Sequence, residues 1–217
     1  MIDPEFIYNN IEEYEIYPSH KEIFNTILEN IEFERRLVIT GQQFGGKSFF
    51  CRKLALRIKK KLNLEIDKIL ICDFPLMILE LMLEKEILVL NDETIKSFLM
   101  ENNLNEILDL KNKDLIILDE INSPIFDNLF KSKLKLENNQ IIIKVIGPNV
   151  KGLFFGNKNY FEGLGYKIYD LKFPTGDERV NMLDKYISSS GILLEDRDYE
   201  VISESRNDIN KFKSLFK

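Results

Sequence analysis

Gly41-Gln42-Gln43-Phe44-Gly45-Gly46-Lys47-Ser48 lies between an apolar run, Leu37 to Thr40, and a long helical stretch that starts near Lys47. Together the three parts read as strand, phosphate-binding loop and helix. A triphosphate needs several backbone N–H donors converging on it, and glycine-rich backbone is what allows that close approach. Lys47 adds a point charge for the outer phosphates, Ser48 offers a hydroxyl to Mg2+, and the positive end of the following helix faces the anion. Gly41, Gln42, Gln43, Phe44, Gly45, Gly46, Lys47, Ser48 and the adjoining Phe49 are therefore the candidate phosphate-binding residues.

A second segment strengthens the reading. Asp119 and Glu120 end the run Asp114-Leu115-Ile116-Ile117-Leu118, whose apolar residues bounded by charge predict a strand buried on both faces. At the end of such a strand Asp119 can hold the magnesium ion, usually through water, while Glu120 can orient or deprotonate an attacking water. Taken alone, the pair reads as a polar cap after a core strand. Beside the loop at Gly41 it reads as the acidic motif of a P-loop ATPase, with Ser48 and Asp119 on the metal and Glu120 as the catalytic residue.

The chain has 217 residues, 44% of them hydrophobic, enough for one domain or one domain with a small appendage. A formal charge of −6 argues against an autonomous nucleic-acid-binding surface, which is ordinarily strongly basic. Two cysteines, Cys51 and Cys72, and one histidine, His20, show no metal-ligand spacing, which predicts a reducing, cytoplasmic setting without structural zinc. Both cysteines read as buried small hydrophobes. No apolar run has the length of a signal peptide or a membrane span.

Alternation of elements predicts a doubly wound parallel sheet. A helix over Ser19 to Ile31 precedes a first strand at Leu37 to Thr40 and a helix over Lys47 to Leu62. Arg52, Lys53, Arg57, Lys59, Lys60 and Lys61 on that helix read as a solvated face. A second strand is expected over Lys68 to Asp73, then a helical region over Phe74 to Leu110 with a break near Leu88 to Asp92. The third strand ends at Asp119, a short helix covers Pro124 to Leu136, and strands follow at Gln140 to Ile146 and Tyr166 to Leu171. From Thr175 the alternation stops. Helical pieces over Asp177 to Ser189, Asp196 to Glu204 and Asp208 to Phe216 form a tail too small to bury much surface alone, so it is expected beside the nucleotide. The predicted fold is α/β: a three-layer sandwich on a five-stranded parallel sheet over residues 1–173, with a three-helix lid over 174–217.

Three places carry a family resemblance. Tyr14-Glu15-Ile16-Tyr17-Pro18-Ser19-His20-Lys21-Glu22-Ile23-Phe24 resembles the segment that AAA+ ATPases of the DnaA/Hda type place around adenine. The phosphate loop and Asp119-Glu120 follow at fitting intervals. Leu171-Lys172-Phe173-Pro174-Thr175-Gly176-Asp177-Glu178-Arg179-Val180-Asn181-Met182-Leu183 is similar to the junction where the family's sheet ends and its lid begins. The resemblance implies ATP or ADP with Mg2+ as ligands, Tyr17 and Pro18 beside the base, and another AAA+ replication protein, such as the initiator, as partner. His20, a lone histidine at a helix start, reads on its own as a solvated or capping side chain.

The departures from the family's pattern shape the expected role. No helix-turn-helix follows the lid within these 217 residues, so no autonomous DNA-binding domain is expected. Met1 to Glu13 lacks the glutamine of the family's clamp-docking peptide, which puts clamp binding in doubt. Where the family places an arginine finger, worth on the order of a thousandfold in turnover, the chain reads Asn157-Lys158-Asn159-Tyr160-Phe161-Glu162. The lid arginine falls nearest Asn210, with Arg206 one turn earlier as substitute, and the sensing position of the fourth strand falls at Gly147-Pro148-Asn149. The expected function is a nucleotide-held regulator or adaptor of replication initiation with weak or partner-dependent ATPase activity. The alternatives are a self-assembling ATPase, with Arg206, Arg179 or a lysine near Lys158 replacing the finger, and a helicase-loader accessory.

Overall fold

In the computed structural model, residues 7, 9–87, 92–103, 106, 109–119, 137–146, 161–191 and 196–215 are described. The five apolar runs form strands β1 (Arg36–Gly41), β2 (Ile69–Asp73), β3 (Leu115–Asp119), β4 (Ile141–Ile146) and β5 (Lys167–Leu171). They pair in parallel in the order β2-β3-β4-β1-β5. Strands β3 and β4 are buried along their whole length, as a parallel sheet covered on both faces requires, whereas edge strand β5 alternates exposed and buried positions.

Strand parity assigns the faces. Leu37, Ile39, Leu115, Ile117, Ile143 and Val145 point to one face and pack under helices α1 (Lys21–Asn30) and α2 (Lys47–Leu62). Val38, Ile142 and Ile146 point to the other, beside Phe161 and Tyr166. Lys144 is buried on that second face, its ammonium 4.5 Å from the Tyr166 ring centroid and 5.3 Å from that of Phe161, contacts that offset part of the cost of burying a charge.

The long helical region after β2 is divided into α3 (Phe74–Glu84) and α4 (Asp92–Glu101), with a 3-10 turn at Leu110–Asn112 before β3. A 3-10 turn at Ile66–Lys68 delays β2, so the strand expected from Lys68 starts at Ile69. Leu88 to Asn91 and the helix expected over Pro124 to Leu136 lie outside the described residues. Lys53, read as part of a solvated face, is instead 8% exposed, and Nζ donates to the carbonyls of Ile11 (2.7 Å) and Glu12 (3.0 Å). An amphipathic pattern cannot show that the N-terminal segment covers that face of α2. Among the described residues no helix is long and apolar enough to cross a membrane.

After β5 come α5 (Gly176–Ser190), α6 (Asp196–Ser205) and α7 (Ile209–Ser214), the helical lid. Thr175 caps α5 through a reciprocal box: its Oγ1 accepts from the Glu178 N–H, and Glu178 Oε2 accepts from the Thr175 N–H at 2.7 Å. Leu183, Tyr186, Ile202 and Phe212 alone make a thin core. Ile7 and Tyr14 from the N-terminal segment complete it, and Phe44, Phe49, Phe173 and Met182 pack against it. Lys185 also donates to the Glu13 carbonyl, so residues 11–13 are held by α2 on one side and α5 on the other.

Candidate nucleotide-binding site

The loop leaves β1 at the carboxyl end of the sheet, the end where open α/β folds bind ligands. At Gly41 a Cβ would lie 2.8 Å from the Leu171 carbonyl oxygen, so neighbouring β5 leaves no room for a side chain. A turn follows in which the Gly45 N–H donates to the Gln42 carbonyl at 3.0 Å. Phe44 sits at its third position with φ +60°, and Gly46 at φ +78° opens α2, whose first bond runs from the Phe50 N–H to the Gly46 carbonyl at 2.8 Å. Lys47 Nζ donates to the same Gln42 carbonyl at 2.9 Å. Loop, lysine and helix start are thus organised around one turn, with Gln42 and Gln43 exposed and Lys47, Ser48 and Phe49 half-buried.

Asp119, 7% exposed, ends β3 directly opposite Asp73 at the end of β2. Parity points both toward the α2 face, with Leu115 and Ile117. The Asp119 charge reaches both cysteines. Burial drives the Cys51 thiol well above its ordinary value, the Asp119 charge adds to this, and Lys47 opposes it. The Cys72 thiol is pushed up to about 12 by burial, with Asp73 and Asp119 adding their charges. Cys51 is buried as the sequence predicts, whereas Cys72 is only partly so.

This donor set fits Mg2+, which takes one or two carboxylates together with substrate phosphates rather than an all-protein cage. Ser48 and Asp119 could supply the protein oxygens. Among the described residues no group of three or more His, Cys, Asp or Glu could hold a metal. Glu120 lies outside the described residues, as do 147–149 and 157–160.

Tyr17 and Pro18, the candidate base-flanking residues, stand at the entrance to the lid. Tyr17 is buried, and its ring lies so close to Gly46 that a Cβ there would be 2.9 Å from Cε2. Its hydroxyl donates to Met182 Sδ on α5 at 3.0 Å. Burial, reinforced by the nearby Glu178, raises the phenol's pKa, so it stays protonated. Pro18 begins the 3-10 turn Pro18–His20. The Ser19 N–H donates to Glu178 Oε1 at 2.6 Å.

His20 corrects the sequence reading. It is 1% exposed, its Nε2 donates to the Lys172 carbonyl at 2.7 Å, and its ring meets Tyr17 and Phe50 edge-on. Burial lowers its pKa despite that bond, so the ring is neutral with the proton on Nε2. Tyr17 to His20 therefore touch the phosphate loop on one side and Lys172, Glu178 and Met182 of the lid junction on the other. Of these partners only Glu178 carried a legible signal, the Thr-x-x-Glu capping pattern.

The two lid arginines differ in place. Arg206 pairs through Nε with Asp177 at 3.1 Å on the exposed surface near the start of α5. Arg179, a substitute finger in the self-assembling alternative, is 4% exposed and committed inward. It donates to the carbonyls of Pro174 (2.8 Å), Ser205 (2.9 and 3.2 Å) and Arg206 (2.8 Å), between the rings of Phe173 and Phe212. It cannot serve a neighbouring subunit from there.

No protein-family model matches the chain, and no curated protein matches it in sequence. Solved structures do. Domain III of the replication initiation protein DnaA from Thermotoga maritima matches with a TM-score of 0.54 at 12% identity, over 99% of this chain and 87% of that one. AMPPCP-bound DnaA from Aquifex aeolicus gives 0.53 at 14% identity over 94% of this chain, which spans 62% of that protein's structure. The DnaC helicase loader gives 0.51 at 14% identity, over 76% of this chain and 98% of that one. These likenesses show the fold: the chain, with its five-stranded parallel sheet and C-terminal helices, is folded like domain III of DnaA.

Proposed function

We propose that the chain binds an adenine nucleotide on the loop Gly41 to Ser48 and acts as a nucleotide-held regulator or adaptor of replication initiation, with another AAA+ replication protein as its partner. The observation that carries this reading is Tyr17, held between Gly46 of the phosphate loop and Met182 of the lid. A ligand at the loop therefore acts on the same residue that meets the lid, and with it on the surface offered to a partner. The AMPPCP of the Aquifex DnaA supports the choice of nucleotide.

In this reading the backbone N–H groups of the loop bind the phosphates, and Lys47 turns from the Gln42 carbonyl to the outer phosphate. Ser48 and Asp119 would hold Mg2+, which would supply charge neutralisation there. Tyr17 and Pro18 bound the base, Arg206 exchanges Asp177 for the phosphates, and Glu120 orients or deprotonates a water. The core ends and the lid begins near residues 173 and 174, and the protein works in the cytoplasm. Turnover is weak or partner-dependent, because no arginine occupies the finger segment Asn157 to Glu162.

The test is binding of fluorescent ADP and ATP, with ATP turnover, by the wild type and Lys47→Ala across a wide range of protein concentration. Expected are tight wild-type binding, a loss of about tenfold or more on substitution, negligible turnover, and co-purification with an initiator. Absence of binding by the wild type refutes the proposal. Turnover that climbs with protein concentration replaces it with a self-assembling ATPase. A helicase-loader accessory is the second reading, favoured by the 98% coverage of the DnaC structure and opposed by the acidic balance of −6. Retention of a replicative helicase in place of the initiator would select it.

A further inference from the structure

Given the nucleotide-binding role proposed above, the geometry points to Phe44 as a positioning residue that ties the phosphate loop to the lid. Phe44 occupies the third position of the turn closed by Gly45 and Gln42, at φ +60°. Turns that need a positive φ there take glycine or asparagine, and a bulky side chain in that region is an outlier. Such strain persists only where the surroundings hold it.

The holding contact is the core that the lid shares with Ile7 and Tyr14 of the N-terminal segment. The half-buried Phe44 ring packs against the cluster built by Tyr14, Leu183, Tyr186, Ile202 and Phe212. The turn it closes is also the one whose Gln42 carbonyl receives Lys47 Nζ. A docked lid therefore keeps Phe44 left-handed, a left-handed Phe44 keeps the turn, and the turn sets where Lys47 stands. A phosphate-bearing ligand that requires this loop conformation favours the docked lid, and by reciprocity the docked lid favours the ligand. Phe49 also bridges the main core and the lid core, but it sits on α2 with no positive φ and is not strained by the link.

Glycine and alanine substitutions separate strain from packing. Glycine takes a positive φ freely and drops the anchor, whereas alanine drops the anchor and keeps the strain. Fluorescent ADP affinity and hydrogen exchange of residues 176–214 are measured for the wild type, Phe44→Gly, Phe44→Ala and Phe44→Leu. Phe44→Gly, which relieves the strain, is expected to bind ADP about tenfold more tightly than Phe44→Ala, with Phe44→Leu between wild type and alanine. In both the glycine and alanine variants lid exchange accelerates in the free protein and responds to ADP less than in the wild type, with Tyr17 left as the other link.

Equal affinities for the glycine and alanine variants overturn the inference, as does a lid in Phe44→Gly that still gains wild-type protection from ADP. If the wild type binds no nucleotide, the proposed function fails, and the anchor is decided by exchange in the free proteins. Unchanged lid exchange in Phe44→Gly and Phe44→Ala then overturns it, and accelerated exchange supports it.

Discussion

Replacing Arg179 by methionine keeps most of the aliphatic length of the side chain and removes all of its guanidinium hydrogen bonds. The lost bonds run to Pro174, Ser205 and Arg206. The Ser205 and Arg206 carbonyls belong to the end of α6, where backbone acceptors have no partner within the helix. Water can reach the Arg206 carbonyl, so its loss is discounted. The carbonyls of Pro174 and Ser205 are met in buried surroundings, and leaving a buried acceptor unpaired costs about 1–3 kcal/mol each. Loss of the cation between Phe173 and Phe212 adds about 0.5–2 kcal/mol. The expected cost is roughly 4 kcal/mol, large for a fold stabilised by about 5–15 kcal/mol. If the lid opens on its own, amide exchange in 176–214 accelerates up to about a thousandfold while β1, β3 and β4 keep their protection. If lid and sheet melt together, the midpoint falls by about 8–16 °C. Exchange within about threefold of wild type across the lid, together with an unmoved midpoint, would refute the keystone role of Arg179.

Three further outcomes are expected. His20 is buried neutral with a lowered pKa, so the unfolded chain takes up its proton first as pH falls below about 6.5; stability drops there, and the drop should shrink in His20→Gln when unfolding is followed by urea titration from about pH 7.5 to about pH 3. Glu178, held low because the Ser19 and Thr175 N–H groups outweigh its burial, contributes stability lost only further down, below about 4.5, and is a separate limb of the same curve. With both thiols held well above their ordinary values, Cys51 and Cys72 should resist a disulfide reagent at pH 8 in the folded protein and react promptly in urea; prompt reaction of Cys51 in the folded state would contradict its burial.

What was legible in the sequence was whatever a local rule controls. The bounds of α2 were read as they stand, because a glycine-rich loop starts the helix and Asn63, left-handed at φ +51°, stops it. Strand β3 is legible as an unbroken apolar run fit only for the middle of a sheet, and β4 as one interrupted only by Lys144. The errors share one cause. Lys53, His20 and Arg179 are polar residues whose partners are backbone carbonyls 41, 152 and 26 positions away, and a charge pattern along one helix carries no trace of such partners. The positive φ of Phe44 was equally hidden, since the loop pattern leaves that position open to any residue.

The lid core has a consequence for the order in which the molecule assembles. It joins Ile7 and Tyr14 to Phe212, nearly opposite ends of the chain. The sheet and its α1–α2 cover draw on residues that come between them, so they can consolidate first. Ile7 and Tyr14 share their core with the last helices, and bringing such distant segments together carries the largest loop-closure cost in the fold. Closing the lid core is thus the most non-local step in assembling the described residues.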